Sequence, residues 1–374
     1  MPPAQDFRAT VRLLSEQGTL VESDQNAPWF EVVAGLSDVD LMEMHRHMAV
    51  IRRADVEASH LQRQGQLALW IPSYGQEAAQ VGSAMATRPH DHIFPAYREH
   101  VIARMRGVDF MRIIELLRGV DNGGWVPSEV GNFHLYTLVI GAQTLHATGY
   151  AMGIALEGSF ATGDPDRDQA VIVYFGDGAT SQGDVNEALV FASSYQTPQV
   201  FFLQNNHWAI SVPVERQSRV PLYRRADGFG IPSLQVDGND VLASYAVTKV
   251  ALDDARSGRG PRFIEALTYR IGAHTSSDDP TKYRTDEELE AWKRRDPIAR
   301  FETYLRSRGV DDGFFAEVQE EAEDLAADTR RRTLALTDPP MAKMFQHVYT
   351  DPHPLMEEQL AWLQAYEAGF GGEA

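Results

Sequence analysis

Two apolar runs constrain this chain more than anything else in it. AVIVYF at 170–175 stops at Gly176, VFFLQ at 200–204 stops at Asn205, and the stretch between them, 184–196, reads as a helix. A strand with no polar alternation is buried on both faces, and strands joined through a helix run parallel. Two more runs, LQVDG at 234–238 and RFIEALTYR at 262–270, flank a helical segment at 241–256. Strand, helix, strand, helix, strand predicts an α/β domain whose parallel sheet carries helices on both faces.

Around that centre the pattern is helical. Residues 1–36 are polar, lack a period and predict an extended arm. From Ser37, an expected N-cap, Leu41, Met44, Met48 and Ile51 fall on one helical face until Gly65 stops the run. Further helices are expected from Gln76 and over 110–118. The stretch 119–139 is rich in turn formers and predicts a long loop, the kind that is usually functional or mobile. Beyond His274 a polar loop leads to Arg284. Thr285 and Glu288 then form an expected capping box, 313–336 reads as a charged surface helix, and a last helical segment ends in the tail GFGGEA. The expected organisation is an arm at 1–36, an α/β domain at 37–284, and a helical extension of the same domain at 285–374.

Charge and composition remove several function classes. The net charge is −19, from 34 basic and 53 acidic residues, which argues against nucleic-acid binding and against docking on an anionic membrane. The chain has no cysteine, so disulfides, thiolate nucleophiles and cysteine-bound metals are excluded. No run of about 18 apolar residues predicts a membrane span, and MPPAQDFRATVRLL lacks a secretory core. A cytoplasmic enzyme is the expectation.

The chemistry sits where the first strand ends, at Gly176-Asp177-Gly178. Glycines at a strand-to-helix turn let the backbone approach a phosphate. A nicotinamide site does not follow, because Gly176, Gly178 and Gly183 do not have G-x-G-x-x-G spacing. Asp177 beside a diphosphate would also repel it unless a divalent cation lay between them. Mg²⁺ takes oxygen ligands and bridges protein oxygens to phosphate. Asn206 lies 29 residues after Asp177, one strand–helix–strand unit on. Both would lie at the carboxyl ends of neighbouring strands, where such sheets bind ligands. Asn206 offers a neutral oxygen to the metal, and the backbone carbonyl of Trp208 adds another.

GDGATSQGDVNEALVFASSYQTPQVFFLQNN resembles the thiamine-diphosphate motif, which opens on GDG and closes on NN. Together with QRQGQLALWIPSYGQEAAQVGSA, FPAYREH, VIGAQTLHATGYAMG, NNHWAIS, QVDGNDVLASY and YRIGAHTSSDDPTKYR, it is similar to the alpha subunits of pyruvate and branched-chain 2-oxo acid dehydrogenases over roughly residues 35–350. The resemblance implies a thiamine-diphosphate-binding fold with helical N- and C-terminal extensions. It implies Mg²⁺ ligation by Asp177, Asn206 and the Trp208 carbonyl, and diphosphate binding by Tyr97 and Arg98. Gly178 and Ala179 would bring backbone amides to the phosphates. Leu138 and Ile140 would line the cofactor, with Ile140 between its two rings. His274 would be the catalytic histidine near the diphosphate and the reacting carbon. Thr275 falls where animal members carry a regulated serine.

The implied activity is oxidative decarboxylation of a small-molecule 2-oxo acid, followed by reductive acylation of the lipoyl group on a dihydrolipoyl acyltransferase core. In this family the glutamate that activates the cofactor comes from a beta subunit, so the resemblance implies an assembly of two alpha and two beta subunits. Plainer readings stand beside these. Asp177 could cap the next helix, Arg98 could form a surface ion pair, Ile140 could be core, and a lone loop histidine is usually solvated. Asn205 reads as structural, and His100 and His146 are further candidates for ligand contact. VGNFHLYT at 130–137 fits neither the pyruvate nor the branched-chain pattern, which leaves the substrate open. An acetoin dehydrogenase alpha subunit and a catalytically silent scaffold are the rival functions.

Overall fold

The structure, a computed structural model, describes residues 10–121 and 123–370. Five parallel strands form its sheet: β1 (His92–Phe94), β2 (Val171–Gly176), β3 (Gln199–Asn205), β6 (Ser233–Asp237) and β7 (Arg262–Leu267), in the spatial order β1-β2-β3-β7-β6. A two-stranded hairpin, β4 (Trp208–Ala209) with β5 (Val212–Pro213), follows β3. The apolar runs are explained by alternation between two cores. Ile172, Tyr174, Val200, Phe202 and Ile264 face the helices Asp38–Arg63, Glu77–Met85 and Val241–Arg256. Val171, Val173, Phe175, Phe201 and Phe263 face the helices Ala142–Glu157 and Gly183–Tyr195.

Several elements depart from the sequence expectation; the helices His100–Met105 and Ala142–Glu157 and the β4–β5 hairpin were not anticipated. Strand β1 was not anticipated, because three residues between Pro89 and Pro95 carry no readable period. The run expected over 262–270 leaves the sheet after Leu267, and Thr268 and Arg270 turn to side-chain roles instead. The N-terminal stretch is more than an arm. The Val11 backbone bonds to Gln235 and Asp237, covering the outer edge of β6, Leu13 and Leu14 are buried, and Ala27–Val33 is helical. Covering an edge strand removes a template for unwanted pairing. Residues 1–9 of the expected arm and 371–374 of the expected tail lie outside the described residues.

Ser37 caps its helix through a complete capping box with Asp40. At Thr285 only half of the expected box forms. Thr285 accepts from the Glu288 amide, while the Glu288 carboxylate accepts from Tyr269 Oη at 2.9 Å and Trp208 Nε1 at 3.2 Å. The charged helix Asp312–Leu334 buries Val318 and Ala322 against Val50 of the helix Asp38–Arg63. Its Glu321 joins Arg46 and Arg104 at 2.8 and 2.6 Å. The long loop carries one 3-10 turn, Pro127–Glu129, and runs beside β1 with Phe133 buried. Among the described residues no helix is long and apolar enough to cross a membrane.

Candidate active site

A cleft of about 250 Å³ opens at the carboxyl ends of β2 and β3. Gly176 and Gln204 are register partners, so the residues that follow them, the Asp177 turn and the Asn205-Asn206 pair, emerge side by side. The carboxylate of Asp177 is buried and does not cap the next helix, which starts after Gln182 without a side-chain cap. It accepts from Gln217 Nε2 at 2.9 Å. Burial raises its pKa to about 6, outweighing hydrogen bonds from Gln217 and from the backbone amides of Asp177 and Asn206 and the charge of Arg270. A buried carboxylate with a raised pKa has a deficit of positive charge around it, which a cation would offset. Asn205 is structural: Nδ2 donates to Glu265 Oε1 at 2.7 Å, and Oδ1 accepts the His207 amide. Asn206 lines the cleft. The Trp208 carbonyl accepts from Arg270 Nη1 at 3.0 Å, and one lone pair remains.

The opposite wall is cationic. Arg98 is buried and anchored by the Pro72 carbonyl and by the His274 carbonyl at 3.1 Å. His274 contacts Arg98 and Arg270 through Nδ1, and its backbone amide donates to Asp278. Burial, then Arg98 and Arg270, lowers its pKa to about 3, so the ring is neutral at pH 7. Beneath Arg98 the carboxyl of Glu99 is buried, which raises its pKa, and it accepts from Gln204 Nε2 at 2.6 Å and from the Arg98 amide. Gln76 is buried in the same lining, with its Nε2 unpartnered. Among the described residues no group of three or more His, Cys, Asp or Glu could hold a metal, so a cation here needs oxygens from amide, carbonyl or ligand as well.

Tyr97, Arg98, Ile140, Asp177, Gly178, Ala179, Asn206, Trp208 and His274 all line this one cleft. Leu138 does not; it is 57% exposed. His100 is fully buried between the Ile71 carbonyl and the Tyr136 hydroxyl, stacked on Trp70, and acts as structure. His146 is exposed on the helix Ala142–Glu157, outside the lining.

Comparison with known proteins decides the family. The model of the family described as dehydrogenase E1 component matches residues 45–331. The chain belongs to the E1-component dehydrogenases. It is 42% identical to the 3-methyl-2-oxobutanoate dehydrogenase subunit alpha of Mycobacterium tuberculosis over 332 residues, 88% of each chain. It is 37% identical over 337 residues to the pyruvate dehydrogenase E1 component subunit alpha of Acholeplasma laidlawii, covering 88% of this chain and 94% of that one. The corresponding Staphylococcus aureus subunit is 38% identical over 302 residues, covering 80% of this chain and 77% of its own.

Several residues in or beside this cleft escaped the sequence reading. Arg270 is fully buried and ties together the Trp208 and Ile210 carbonyls, the Tyr283 hydroxyl and His274. Its only sequence signal was an arginine at the end of an apolar run, where a charge has to find partners. Gln217, Gln76 and Glu99 gave no signal, since each depends on contacts far along the chain.

Proposed function

We propose that this E1 chain is the alpha subunit of a branched-chain 2-oxo acid dehydrogenase, working with thiamine diphosphate, Mg²⁺ and a beta subunit, and passing the acyl group to the lipoyl group of an acyltransferase core. The observation that carries the reading is the convergence of Asp177 and Asn206 from adjacent strand ends with Arg98 and His274 in one cleft. The 3-methyl-2-oxobutanoate enzyme, at 42% identity against 37% and 38% for the two pyruvate enzymes, supports the branched-chain substrate class.

The donor set suits the cofactor. Asp177 Oδ, Asn206 Oδ1 and the Trp208 carbonyl are hard oxygens of the kind Mg²⁺ takes alongside phosphate. Arg98 offers a fork of N–H groups to phosphate oxygens. Gly178 leaves room for close approach, because a Cβ there would stand 2.8 Å from Ala209 Cβ. The unpartnered Gln76 Nε2 is a buried donor in need of an acceptor. Thiamine diphosphate supplies the nucleophilic carbon and the electron sink when bound. Asp177, Asn206 and Arg98 fix its charged end, Ile140 contributes an apolar wall, and neutral His274 holds a proton at Nε2 to hydrogen-bond the reacting oxygens.

Two observations support a beta partner. Among the described residues the only carboxylates lining the cleft are Asp177 and Glu99, and both are engaged, which suits an activating glutamate supplied by a partner. Ile140 and Ile210 of the cleft lining are exposed, and so are their chain neighbours Leu138, Val139 and Val212, apolar surface of the kind that marks an interface. The test is 2-oxo-acid-dependent reduction of an artificial electron acceptor with Mg²⁺ and thiamine diphosphate. The chain is assayed alone and with its beta subunit, on pyruvate, 3-methyl-2-oxobutanoate, 4-methyl-2-oxopentanoate and acetoin. Activity only in the mixture, highest on a branched substrate, is expected. A folded assembly that turns over none of the 2-oxo acids refutes the reading.

A further inference from the structure

Thr285 and Glu288 have the spacing of a capping box, and the box stays half open. Thr285 Oγ1 accepts from the Glu288 amide. The Glu288 carboxylate does not return to the cap. Its Oε1 accepts from Trp208 Nε1 at 3.2 Å and from Tyr269 Oη at 2.9 Å, 80 and 19 residues back along the chain. An acid at this position ordinarily satisfies the N-terminus of its own helix. Here Asp286 and Glu287 are left to complement the helix dipole, and Glu288 serves residues outside the helix. A local preference given up for a distant contact points to function.

Trp208 makes this contact more than an anchor for the C-terminal helices. Its backbone carbonyl is one of the three oxygens proposed for Mg²⁺, and Arg270 Nη1 already takes one of the two lone pairs. Its ring is buried in a small cluster with Tyr269 and Ile271, apart from the two large cores, and Leu289 and Trp292 of the helix Asp286–Lys293 pack against that cluster. Trp292 stacks on Tyr269, 5.1 Å between ring centres. The backbone at Trp208 has little support from its sheet: β4 is two residues long and pairs with the two residues of β5. Glu288 itself does not line the cleft.

We propose that Glu288 is a positioning residue for the metal end of the cofactor: by holding the Trp208 indole from outside the cleft, it fixes the peptide whose carbonyl meets Mg²⁺. This rests on the function proposed above. Glu288 touches neither cofactor nor substrate and acts through Trp208. Both of its bonds come from neutral donors, an indole N–H and a phenol O–H, so an uncharged acceptor in the same place serves as well. Groups that orient a metal ligand from behind typically set roughly 10–100-fold in metal affinity.

The experiment uses the complete alpha–beta assembly. Mg²⁺ is titrated by calorimetry at a fixed excess of thiamine diphosphate, and the melting temperature of the cofactor-free assembly is recorded beside it. Glu288→Ala removes the acceptor and is expected to weaken Mg²⁺ binding about tenfold or more. Glu288→Gln keeps Oε1 as an acceptor and is expected to stay close to wild type. Trp208→Phe keeps an aromatic ring without the donor and is expected to lose about as much as Glu288→Ala. The double variant is expected to lose little more than either single one, since both cut the same link. Wild-type Mg²⁺ affinity in an assembled Glu288→Ala or Trp208→Phe variant overturns the proposal, even where the melting temperature falls, and leaves the function standing. A loss in Glu288→Gln as large as that in Glu288→Ala also overturns it, as do losses that multiply in the double variant. Should Glu288→Ala fail to assemble, Glu288→Gln and Trp208→Phe decide by the same outcomes. A wild-type assembly that binds no thiamine diphosphate in the presence of Mg²⁺ overturns both the proposal and the function.

Discussion

Arg98 Nη2 stands 3.4 Å from Nδ1 of His274 and 3.1 Å from its carbonyl oxygen. Arg270 Nη1 reaches the same Nδ1 at 3.3 Å. A guanidinium has only donors, so Nδ1 accepts and the proton of the neutral ring resides on Nε2. Two cations and burial hold the pKa at about 3, with Asp278 opposing them. Arg98→Met removes one cation and is expected to raise the pKa of His274 toward its usual 6.5. A titration of the ring nitrogens by NMR in the cofactor-free chain checks this. An unmoved pKa would assign the depression to burial and Arg270 alone.

Asp177→Asn keeps the shape of the side chain and removes its charge. Mg²⁺-dependent binding of thiamine diphosphate is expected to weaken by about 100-fold or more, since a neutral amide cannot stand in for an anionic ligand. Thermal stability without cofactor is expected to hold or rise, because the buried carboxylate is poorly solvated. Fluorescence titration against cofactor, with and without Mg²⁺, separates these effects. Wild-type affinity that still depends on Mg²⁺ would remove Asp177 from the metal site.

Gly178 has an ordinary negative φ, so its replacement tests space and not backbone strain. A Cβ at 178 would lie 2.8 Å from Ala209 Cβ and 3.6 Å from its Cα. Gly178→Ala is therefore expected to push the β4–β5 hairpin outward and weaken cofactor binding while leaving the fold intact. Ala209→Gly removes the clashing methyl, and the double variant is expected to recover most of the loss. Failure of that rescue, measured by the same titration, would show that the glycine serves something other than clearance from Ala209.

Much of this site was legible in the sequence because its parts are local. Gly176, Asp177 and Gly178 follow an apolar strand, and Asn206 ends the next one, so spacing alone brought them into register. Tyr97, Arg98 and His274 were legible only through family resemblance, since nothing in their neighbourhoods sets their distance from Asp177. Arg270 and Gln217 were not legible. Arg270 meets carbonyls 62 and 60 residues away, and Gln217 reaches back 40 residues to Asp177. Strand β1 failed for a different reason. Its three residues are held by neighbours in the sheet and by the backbone of Asn132, and no intrinsic period marks them. Leu138, expected in the cofactor lining, is exposed and is not among the residues that line the cleft.

Acid should unfold the chain through its histidines. His45, His47, His92, His100 and His134 have pKa values lowered to about 4, and His274 to about 3, with burial the first cause in each. In the unfolded chain they titrate near 6.5. Between pH 6.5 and 4 the unfolded state therefore binds more protons, so native stability falls as pH drops through that window. Asp55 and Asp177 act with the opposite sign. Burial raises both to about 6, and they take up protons in the native state before the unfolded one, which favours the fold as pH drops from 6 toward 4. Burial also lowers the pKa of His207 and raises those of Glu99 and Asp240, so seven histidines stand against four carboxylates and the histidines set the direction. The urea midpoint is expected to be flat from pH 8 to 7 and to decline steadily below 6.5. His100→Gln, which keeps polar atoms without a titrating proton, is expected to reduce that decline. A midpoint that holds steady or rises down to pH 5 would contradict the assignment of these rings as neutral and buried.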